Sequence, residues 1–106
     1  MRLGIILNTN DPETAWTALR LGNAALDGGH QVSVFLIGSG VEIEKITEGQ
    51  FSVTELLKKF TGRQVSLLGC GTCMRLRQQE AGVVLKSTMD DLVRIIADSD
   101  KVVTFG

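Results

Sequence analysis

The chain lacks an excess of charge of either sign, because its 106 residues carry 11 basic and 12 acidic side chains and a net charge of −1. There is no large basic run and no acidic tail, so the composition does not favour binding to nucleic acid. No apolar run approaches the ~20 residues needed to cross a bilayer, and we expect no membrane association. A short apolar N-terminal run leads at once into polar residues 8–11 without a small-residue cleavage site. This favours a strand over a signal peptide, and a cytoplasmic protein.

Histidine, proline and cysteine are also scarce, with one, one and two residues respectively. One histidine and two cysteines are too few ligands for a closed tetrahedral zinc site unless subunits share it, and we expect neither a metal nor a cofactor. In an intracellular protein, two cysteines are more often thiols, ligands or catalysts than a structural disulfide. The length and the 43% hydrophobic content indicate one domain over residues 1–106 with a single modest core.

Short apolar runs alternate with segments of helical periodicity along the chain. The runs predict five strands, at residues 3–7, 32–37, 65–68, 83–85 and 101–105. Four predicted helices lie between them, beginning after Asp11, after Ser52, at about Cys73 and after Ser87 or Thr88. A short helical turn over residues 41–46 and a loop around Glu48-Gly49-Gln50 complete the pattern.

Local signals mark the ends of these helices. Asp11 is the predicted N-cap of the first helix, and Ser52 and Glu55 have the spacing of a capping box for the second. We expect the third helix to cover residues 73–80, because Gly82 should break it.

The alternation of strands and helices predicts βαβ units and a mainly parallel sheet. Because such crossovers are right-handed, helices should cover both faces. We therefore predict an α/β fold with a flavodoxin-like open sheet. Ligands and chemistry in these sheets sit beyond the carboxyl ends of the strands, where this chain places the loops 8–11, 38–40 and 69–72.

Cys70 and Cys73 belong to a Cys-Gly-Thr-Cys segment, where the third predicted strand gives way to a helix. Backbone N–H groups stabilise a thiolate at such a point, so the pKa of Cys70 should lie below the ordinary value of about 8.5. Arg75 and Arg77, further along the helix, could add positive potential. Cys73 is a neighbour of Cys70 on a helical turn. A free cysteine can also be a small buried hydrophobe, and this packing role stays open for Cys73.

Three functions are compatible with this pair of cysteines. Dithiol redox chemistry of the thioredoxin type has the right spacing, but it uses a cis-proline, and the single proline, Pro12, precedes a helix. A metal site would have to be shared between subunits. Sulfur transfer needs an exposed cysteine of low pKa and a partner but no cofactor, and we favour it.

Four segments resemble the DsrE/DsrF-like family, which includes the TusD-type sulfur carriers: residues 8–11, 29–36, 70–74 and 97–106. The resemblance covers nearly the whole chain, and the region of Cys70 is its most specific part. It implies an α/β sheet fold and assembly into oligomers, often trimers or hexamers. In the sulfur carriers it also implies a persulfide on the cysteine at the position of Cys70, and Arg77 is similar in spacing to a family arginine. After Cys70 the chain departs from those carriers, and its Cys-x-x-Cys form is closer to stand-alone relatives.

We therefore expect a small, sulfurtransferase-like relay protein that forms a homo-oligomer. Cys70 would accept sulfane sulfur as a persulfide from a donor protein and pass it to the thiol of an acceptor protein. Cys73 would resolve the persulfide, or release sulfide by forming a disulfide with Cys70. The alternative is a non-enzymatic oligomeric module whose cysteines are structural or redox-sensing.

Other residues have a less specific signal. His30 could be a catalytic base, but a role in the turn entering the second strand is favoured, since no cysteine or carboxylate adjoins it in sequence. The polar residues 8–11 favour turn chemistry and helix capping over ligand binding. Residues 38–40 lack a full phosphate-loop pattern. Trp16 is expected in the core or at an interface, and Met89 and the apolar stripe near it are expected to pack.

Overall fold

Five parallel strands form one sheet in the order β4-β3-β2-β1-β5 in this computed structural model, which describes residues 1–47 and 49–106. The strands are β1 (Arg2–Leu7), β2 (Gln31–Leu36), β3 (Leu67–Cys70), β4 (Val84–Ser87) and β5 (Lys101–Phe105). The helices are α1 (Pro12–Asp27), α2 (Val53–Thr61), α3 (Gly71–Leu76) and α4 (Met89–Asp98), with a 3₁₀ segment (Gly38–Lys45) after β2. Glu48, which the sequence places in a loop, lies outside the described residues.

The direction of the crossovers decides which face each helix covers. From β1 to β4 the chain steps in one direction across the sheet, and from β4 to β5 it returns in the other. Right-handed crossovers therefore put α1, α2 and α3 on one face and α4 on the opposite one. Gly4 of β1 faces α4, because a Cβ there would lie 2.9 Å from Ser99 Oγ and 3.6 Å from Ile95 Cγ2. The predicted flavodoxin-like α/β fold, with helices on both faces, is confirmed.

The buried core lies on the face that α1, α2 and α3 share. Alternate side chains of each strand point into it because successive residues of a strand face opposite sides. The fully buried strand residues of this core include Ile5, Leu7, Leu36, Leu67 and Val84. Phe60 of α2 and Met74 of α3 cover the core on the side of the helices, and both are fully buried.

The opposite face is only partly covered, and here one prediction is wrong. Met89 is 50% exposed, Val93 62% and Ile96 46%, and none of the ten described residues of α4 is buried. Leu85 and Val102 of the sheet are exposed on the same face. Met89, Val93 and Ile96 thus do not pack as predicted, whereas Leu92 and Ile95 of the same stripe are half-buried, because a single helix cannot cover five strands. We call this surface the α4 face.

The junction that carries the cysteines differs from its predicted boundaries. The strand predicted at residues 65–68 is found at Leu67–Cys70, and the helix predicted at 73–80 is found at Gly71–Leu76. The helix ends early because Gln78 adopts a left-handed conformation, with φ +54°. The N–H of Gln79 then donates to the Met74 carbonyl at 2.7 Å, and that of Gln78 to the Arg75 carbonyl at 3.1 Å. This is a Schellman end without glycine, so Gly82 is not the stop.

The predicted helix caps are confirmed at two of three positions. The carboxylate of Asp11 accepts from the Thr14 N–H at 3.0 Å, and Thr88, rather than Ser87, accepts from the Asp91 N–H at 3.2 Å. The capping box at Ser52 is wrong, because the Ser52 side chain makes no capping hydrogen bond. Its backbone, with φ −78° and ψ 63°, is not in the extended conformation typical of an N-cap.

Smaller shifts affect the other elements. The strands predicted at 32–37 and 83–85 are found at Gln31–Leu36 and Val84–Ser87, and the turn predicted at 41–46 is the 3₁₀ segment Gly38–Lys45. The last strand is found where it was predicted, at Lys101–Phe105. No helix in the described part of the chain is long and apolar enough to cross a membrane.

The close approach of the 3₁₀ segment to β1 can be tested at Gly40. A Cβ at this position would lie 2.3 Å from the backbone oxygen of Leu7, so Gly40→Ala must displace the two segments from each other. We expect the free energy of unfolding in urea to fall by about 1–3 kcal/mol. Gly82→Ala is the matched control, because its Cβ would meet nothing closer than 3.4 Å and should change stability little. Equal effects of the two substitutions would contradict the packing described here.

Candidate functional site

Three segments meet at the carboxyl edge of the sheet, as the sequence predicts. The N–H of Asn10, after β1, donates to Ser39 Oγ of the 3₁₀ segment at 3.1 Å. The N–H of Gly38 donates to Cys73 Sγ of α3 at 3.3 Å. Gly38 has φ +53°, and a Cβ there would lie 2.3 Å from Asn8 Oδ1, so this turn needs glycine. The loops after β1, β2 and β3 therefore form one connected site.

Cys70 is both the last residue of β3 and the N-cap of α3. The strand register places it on the same side of the sheet as Gly4, and therefore on the α4 face. Three pairs of neighbouring residues lie on this side: Gly4 with Ser33, Phe35 with Leu68, and Cys70 with Ser87. Because residues two positions apart in a strand face the same side, these pairs connect Gly4 to Cys70. Cys70 is buried, at 8% exposed, so the exposed cysteine that the sequence analysis expects for sulfur transfer is not found in the single chain.

The surroundings of Cys70 favour its thiolate. Burial raises the pKa of the Cys70 thiol, but the other groups outweigh it and the net pKa is lowered. In decreasing order these groups are the Cys73 N–H, the Cys73 side chain, the Thr72 N–H and the positive charge of Arg75. The Cys70 side chain makes no capping hydrogen bond to α3. These groups therefore lower the pKa mainly because they stabilise the negative charge of the thiolate.

Cys73 occupies a different environment from Cys70. Both cysteines are free, but Cys73 is half-buried and packs against the core on the side of α1 and α2. Its sulfur accepts the Gly38 N–H, and its side chain helps to lower the pKa of Cys70. The structure thus brings the two predicted site residues together and gives Cys73 a packing role and a polar contact at once.

Arg75 and Arg77, both expected to add positive potential, have separate roles. Arg75 acts on the Cys70 thiolate through its charge. Arg77 instead donates to Glu42 Oε1 at 2.9 Å, and the same oxygen accepts from Asn10 Nδ2 at 3.3 Å. Glu42 therefore ties the end of α3 and the loop after β1 to the 3₁₀ segment.

A second polar group lies beside Cys70 on the α4 face. Ser87, its partner in β4, donates its hydroxyl to Asp91 Oδ2 of α4 at 2.6 Å. This bond and one from Arg94 hold the pKa of Asp91 below its ordinary value against a small effect of burial. Sequence reasoning placed the loop 38–40 at this edge but missed the contact of Gly38 with Cys73, and it missed Glu42 and Asp91 as parts of the site. Each acts through a residue more than thirty positions away or through the strand pairing, which no local pattern reveals.

The remaining candidates lie away from the cysteines. His30 precedes β2, at the amino edge of the sheet, where its Nδ1 lies 2.8 Å from the N-terminal amine. Trp16 packs against Phe51 with ring centroids 5.1 Å apart, and the Arg20 guanidinium lies 4.3 Å from its ring centre. Residues 1–47 and 49–106 contain no cluster of three or more histidine, cysteine or acidic side chains arranged to hold a metal ion.

Comparison with known proteins agrees with the fold. A model of the DsrE/DsrF-like family matches residues 1–105. The chain belongs to the DsrE/DsrF-like family. The resemblance seen in the sequence is confirmed, and the family is associated with sulfur relay.

Relatives of this DsrE/DsrF-like chain include two proteins from methanogens that are described as uncharacterised. The chain is 33% identical over 100 residues to a protein of Methanocaldococcus jannaschii, covering 88% of each chain. It is 36% identical over 101 residues to a protein of Methanopyrus kandleri, covering 88% of this chain and 83% of the other. The structure is similar, with a TM-score of 0.72, to a conserved protein of unknown function from Bacteroides thetaiotaomicron. The match covers 97% of this chain and 93% of the other at 16% identity, and it supports the fold alone.

The lowered pKa of Cys70 predicts its reactivity as a function of pH. Only the thiolate is alkylated, so labelling of Cys70 by iodoacetamide should have a midpoint below the ordinary thiol pKa of about 8.5. The label on the Cys70 peptide is measured by mass spectrometry, and Cys70→Ser gives the blank. In urea the midpoint should return to the ordinary value, because the N–H groups and Arg75 no longer surround the sulfur. A folded-state midpoint at or above the urea value would contradict the site geometry.

Proposed function

We propose that this protein is a cytoplasmic sulfur carrier in which Cys70 holds sulfane sulfur as a persulfide. The observation that carries the proposal is the environment of Cys70. Its thiolate is stabilised by two backbone N–H groups, the Cys73 side chain and Arg75 at the carboxyl edge of the sheet. Membership of a family associated with sulfur relay supports the same chemistry. The cytoplasm suits a carrier of this kind because thiols stay reduced there.

Loading is a two-electron transfer between sulfur atoms. The Cys70 thiolate attacks the terminal sulfur of a persulfide on the donor protein, and a new S–S bond forms on Cys70. The S–S bond of the donor breaks, and the donor cysteine leaves as a thiolate. Delivery repeats this step in the other direction, with a thiolate of the acceptor protein attacking the terminal sulfur on Cys70. No external oxidant or reductant is consumed in either step.

When no acceptor protein is present, Cys73 can release the bound sulfur instead. As a thiolate it attacks Cys70 Sγ, forms a Cys70–Cys73 disulfide and releases the terminal sulfur as hydrosulfide. The neighbouring positions of the two residues on one turn of α3 support this step. A dithiol reductant must then reduce the disulfide to restore both thiols.

Persulfide loading can be measured directly by intact mass. After incubation with a persulfide donor, the wild-type protein should gain about 32 Da, one sulfur atom. Cys70→Ser should not gain this mass. Cys73→Ser should gain it and keep it longer, because it cannot form the disulfide that releases hydrosulfide. Cyanide removes sulfane sulfur, so treatment with cyanide should reverse the mass gain and yield thiocyanate.

A wild-type protein that gains no sulfur, or a Cys70→Ser variant that gains as much, would refute the carrier proposal. The second candidate, a non-enzymatic module with structural or redox-sensing cysteines, would then be favoured. The burial of Cys70 and the packing of Cys73 against the core are the observations on its side. In that case Cys70 should alkylate slowly at neutral pH.

We further propose that copies of the chain associate through the α4 face into a homo-oligomer, a trimer or hexamer. Five large apolar side chains of this face are between 38% and 62% exposed: Leu85, Met89, Val93, Ile96 and Val102. Several large exposed apolar side chains on one face are typical of a protein interface. Because Cys70 lies on the same side of the sheet, assembly would bring neighbouring subunits close to the nucleophile.

Val93→Glu tests this assembly, because Val93 is the most exposed of the large apolar residues of α4. A buried, unpaired carboxylate is unfavourable at an interface, so we expect the oligomer to dissociate, as measured by light scattering after size exclusion. Thr17→Glu, on the exposed side of α1, is the matched control and should leave the mass unchanged. A wild-type protein that is monomeric at high concentration would contradict the proposal.

A further inference from the structure

An open cleft of about 360 Å³ lies on the α4 face, between one side of α4 and strands β1 to β3. Its volume falls within the range of about 300–1,000 Å³ that is usual for small-molecule sites. Asp91, Arg94 and Asp98 form its wall on the helix, because positions three, four and seven apart lie on one side of a helix. Arg2 and Leu68 line it from the sheet. The cleft therefore has charged groups on both of its walls.

The exposed apolar side chains of α4 lie on another side of the helix from this cleft. Met89, Val93 and Ile96 are exposed but do not line it. An oligomer contact built on these three side chains can therefore leave the cleft open for a ligand.

The charges in the cleft are of both signs and only partly paired. Arg94 is paired with Asp91 on the helix. Within residues 1–47 and 49–106, the side chains of Arg2 and Asp98 form no ion pair. A guanidinium binds a carboxylate group, and a carboxylate binds an ammonium group, through charge-assisted hydrogen bonds. The two unpaired charges therefore suit a ligand with the ammonium and carboxylate of an amino-acid head group.

The cleft extends from the amino edge of the sheet towards Cys70. Arg2 begins β1 and Asp98 ends α4, so both lie at the amino edge. Asp91, seven residues before Asp98, lies about 10 Å from it along the helix axis. Asp91 also accepts the hydroxyl of Ser87, the partner of Cys70 in β4. The unpaired charges are therefore about 10 Å from the surroundings of Cys70.

We propose that the cleft binds an elongated low-molecular-weight thiol, with its amino-acid head group between Arg2 and Asp98 and its sulfur directed towards Cys70. γ-Glutamylcysteine has this form, because its amino-acid head group and its thiol lie at opposite ends of the molecule. The inference rests on the carrier function and adds a small thiol to its substrates.

The transfer has the same balance as transfer between proteins. The Cys70 thiolate attacks the terminal sulfur of the bound persulfide, and a new S–S bond forms on Cys70. The S–S bond of the ligand breaks, and the ligand leaves as a thiolate. The proton of the terminal sulfur stays on that atom, and no oxidant or reductant is consumed.

The test uses S-methyl-γ-glutamylcysteine, which has the head group and the length of the ligand but no reactive thiol. Titration into ¹⁵N-labelled protein, followed by NMR, measures the Kd and locates the site. We expect saturable shifts of the amides of Ser33, Leu68 and Asp98, which line the cleft. Arg2→Gln and Asp98→Asn should each raise the Kd about tenfold or more, because each removes one charged partner of the head group.

Asp90→Asn is the matched control, since Asp90 is an exposed residue of α4 that does not line the cleft. It should bind the probe as wild type does. S-methylcysteine has the same head group but is too short to extend along the cleft, so it should leave the amide of Leu68 unshifted.

Three results would overturn the proposal: no saturable shifts, shifts confined to residues outside the cleft, or an Asp98→Asn variant that binds as tightly as wild type. The probe carries no thiol, so its binding does not depend on the chemistry of Cys70. Binding of the probe without sulfur loading would refute the carrier function alone, and sulfur loading without binding would refute the cleft site alone.

Discussion

The parallel direction of all five strands is the constraint on which the site depends. Since every strand ends at the same edge, the loops after β1, β2 and β3 must meet there, and each contributes one part. The first supplies Asn8 and Asn10, the second the Gly38 N–H, and the third the cysteines. The single returning crossover has the opposite consequence, because it leaves α4 alone on its face and the apolar side chains there exposed. The cysteines and the exposed apolar side chains therefore occupy neighbouring parts of the same small sheet.

Much of the fold could be predicted because its signals are local. The apolar run of β5 and the caps Asp11 and Thr88 are each contained within a few residues. The end of α3 could not be predicted, because Gln78 takes the left-handed conformation that is usual for glycine. The position of Cys70 between a strand and a helix was predictable, but its place as the last residue of β3 and its surroundings were not. The contacts from Gly38 to Cys73 and from Arg77 to Glu42 join residues 35 positions apart.

The case of α4 shows a further limit of periodicity. Its apolar spacing correctly predicts a helix with one apolar side, but spacing does not specify what that side packs against. In this chain about half of the surface of Met89 and Ile96 stays exposed, and more of Val93. The same pattern in α2 is buried against α1 and the sheet, where Phe60 is fully enclosed. Topology, and not the strength of the pattern, decides between the two outcomes.

The environment of Cys70 also links its charge to the stability of the fold. A thiol whose pKa is lower in the folded than in the unfolded chain stabilises the folded state at a pH above the unfolded value. That contribution is lost as the pH falls through the lowered pKa, where the folded thiol takes up its proton. The N–H groups that face Cys70 thus contribute to the stability of the fold through this charge only while the sulfur is ionised. An uncharged adduct on Cys70 would remove this contribution at any pH, so the chemical state of one sulfur atom is linked to the free energy of unfolding.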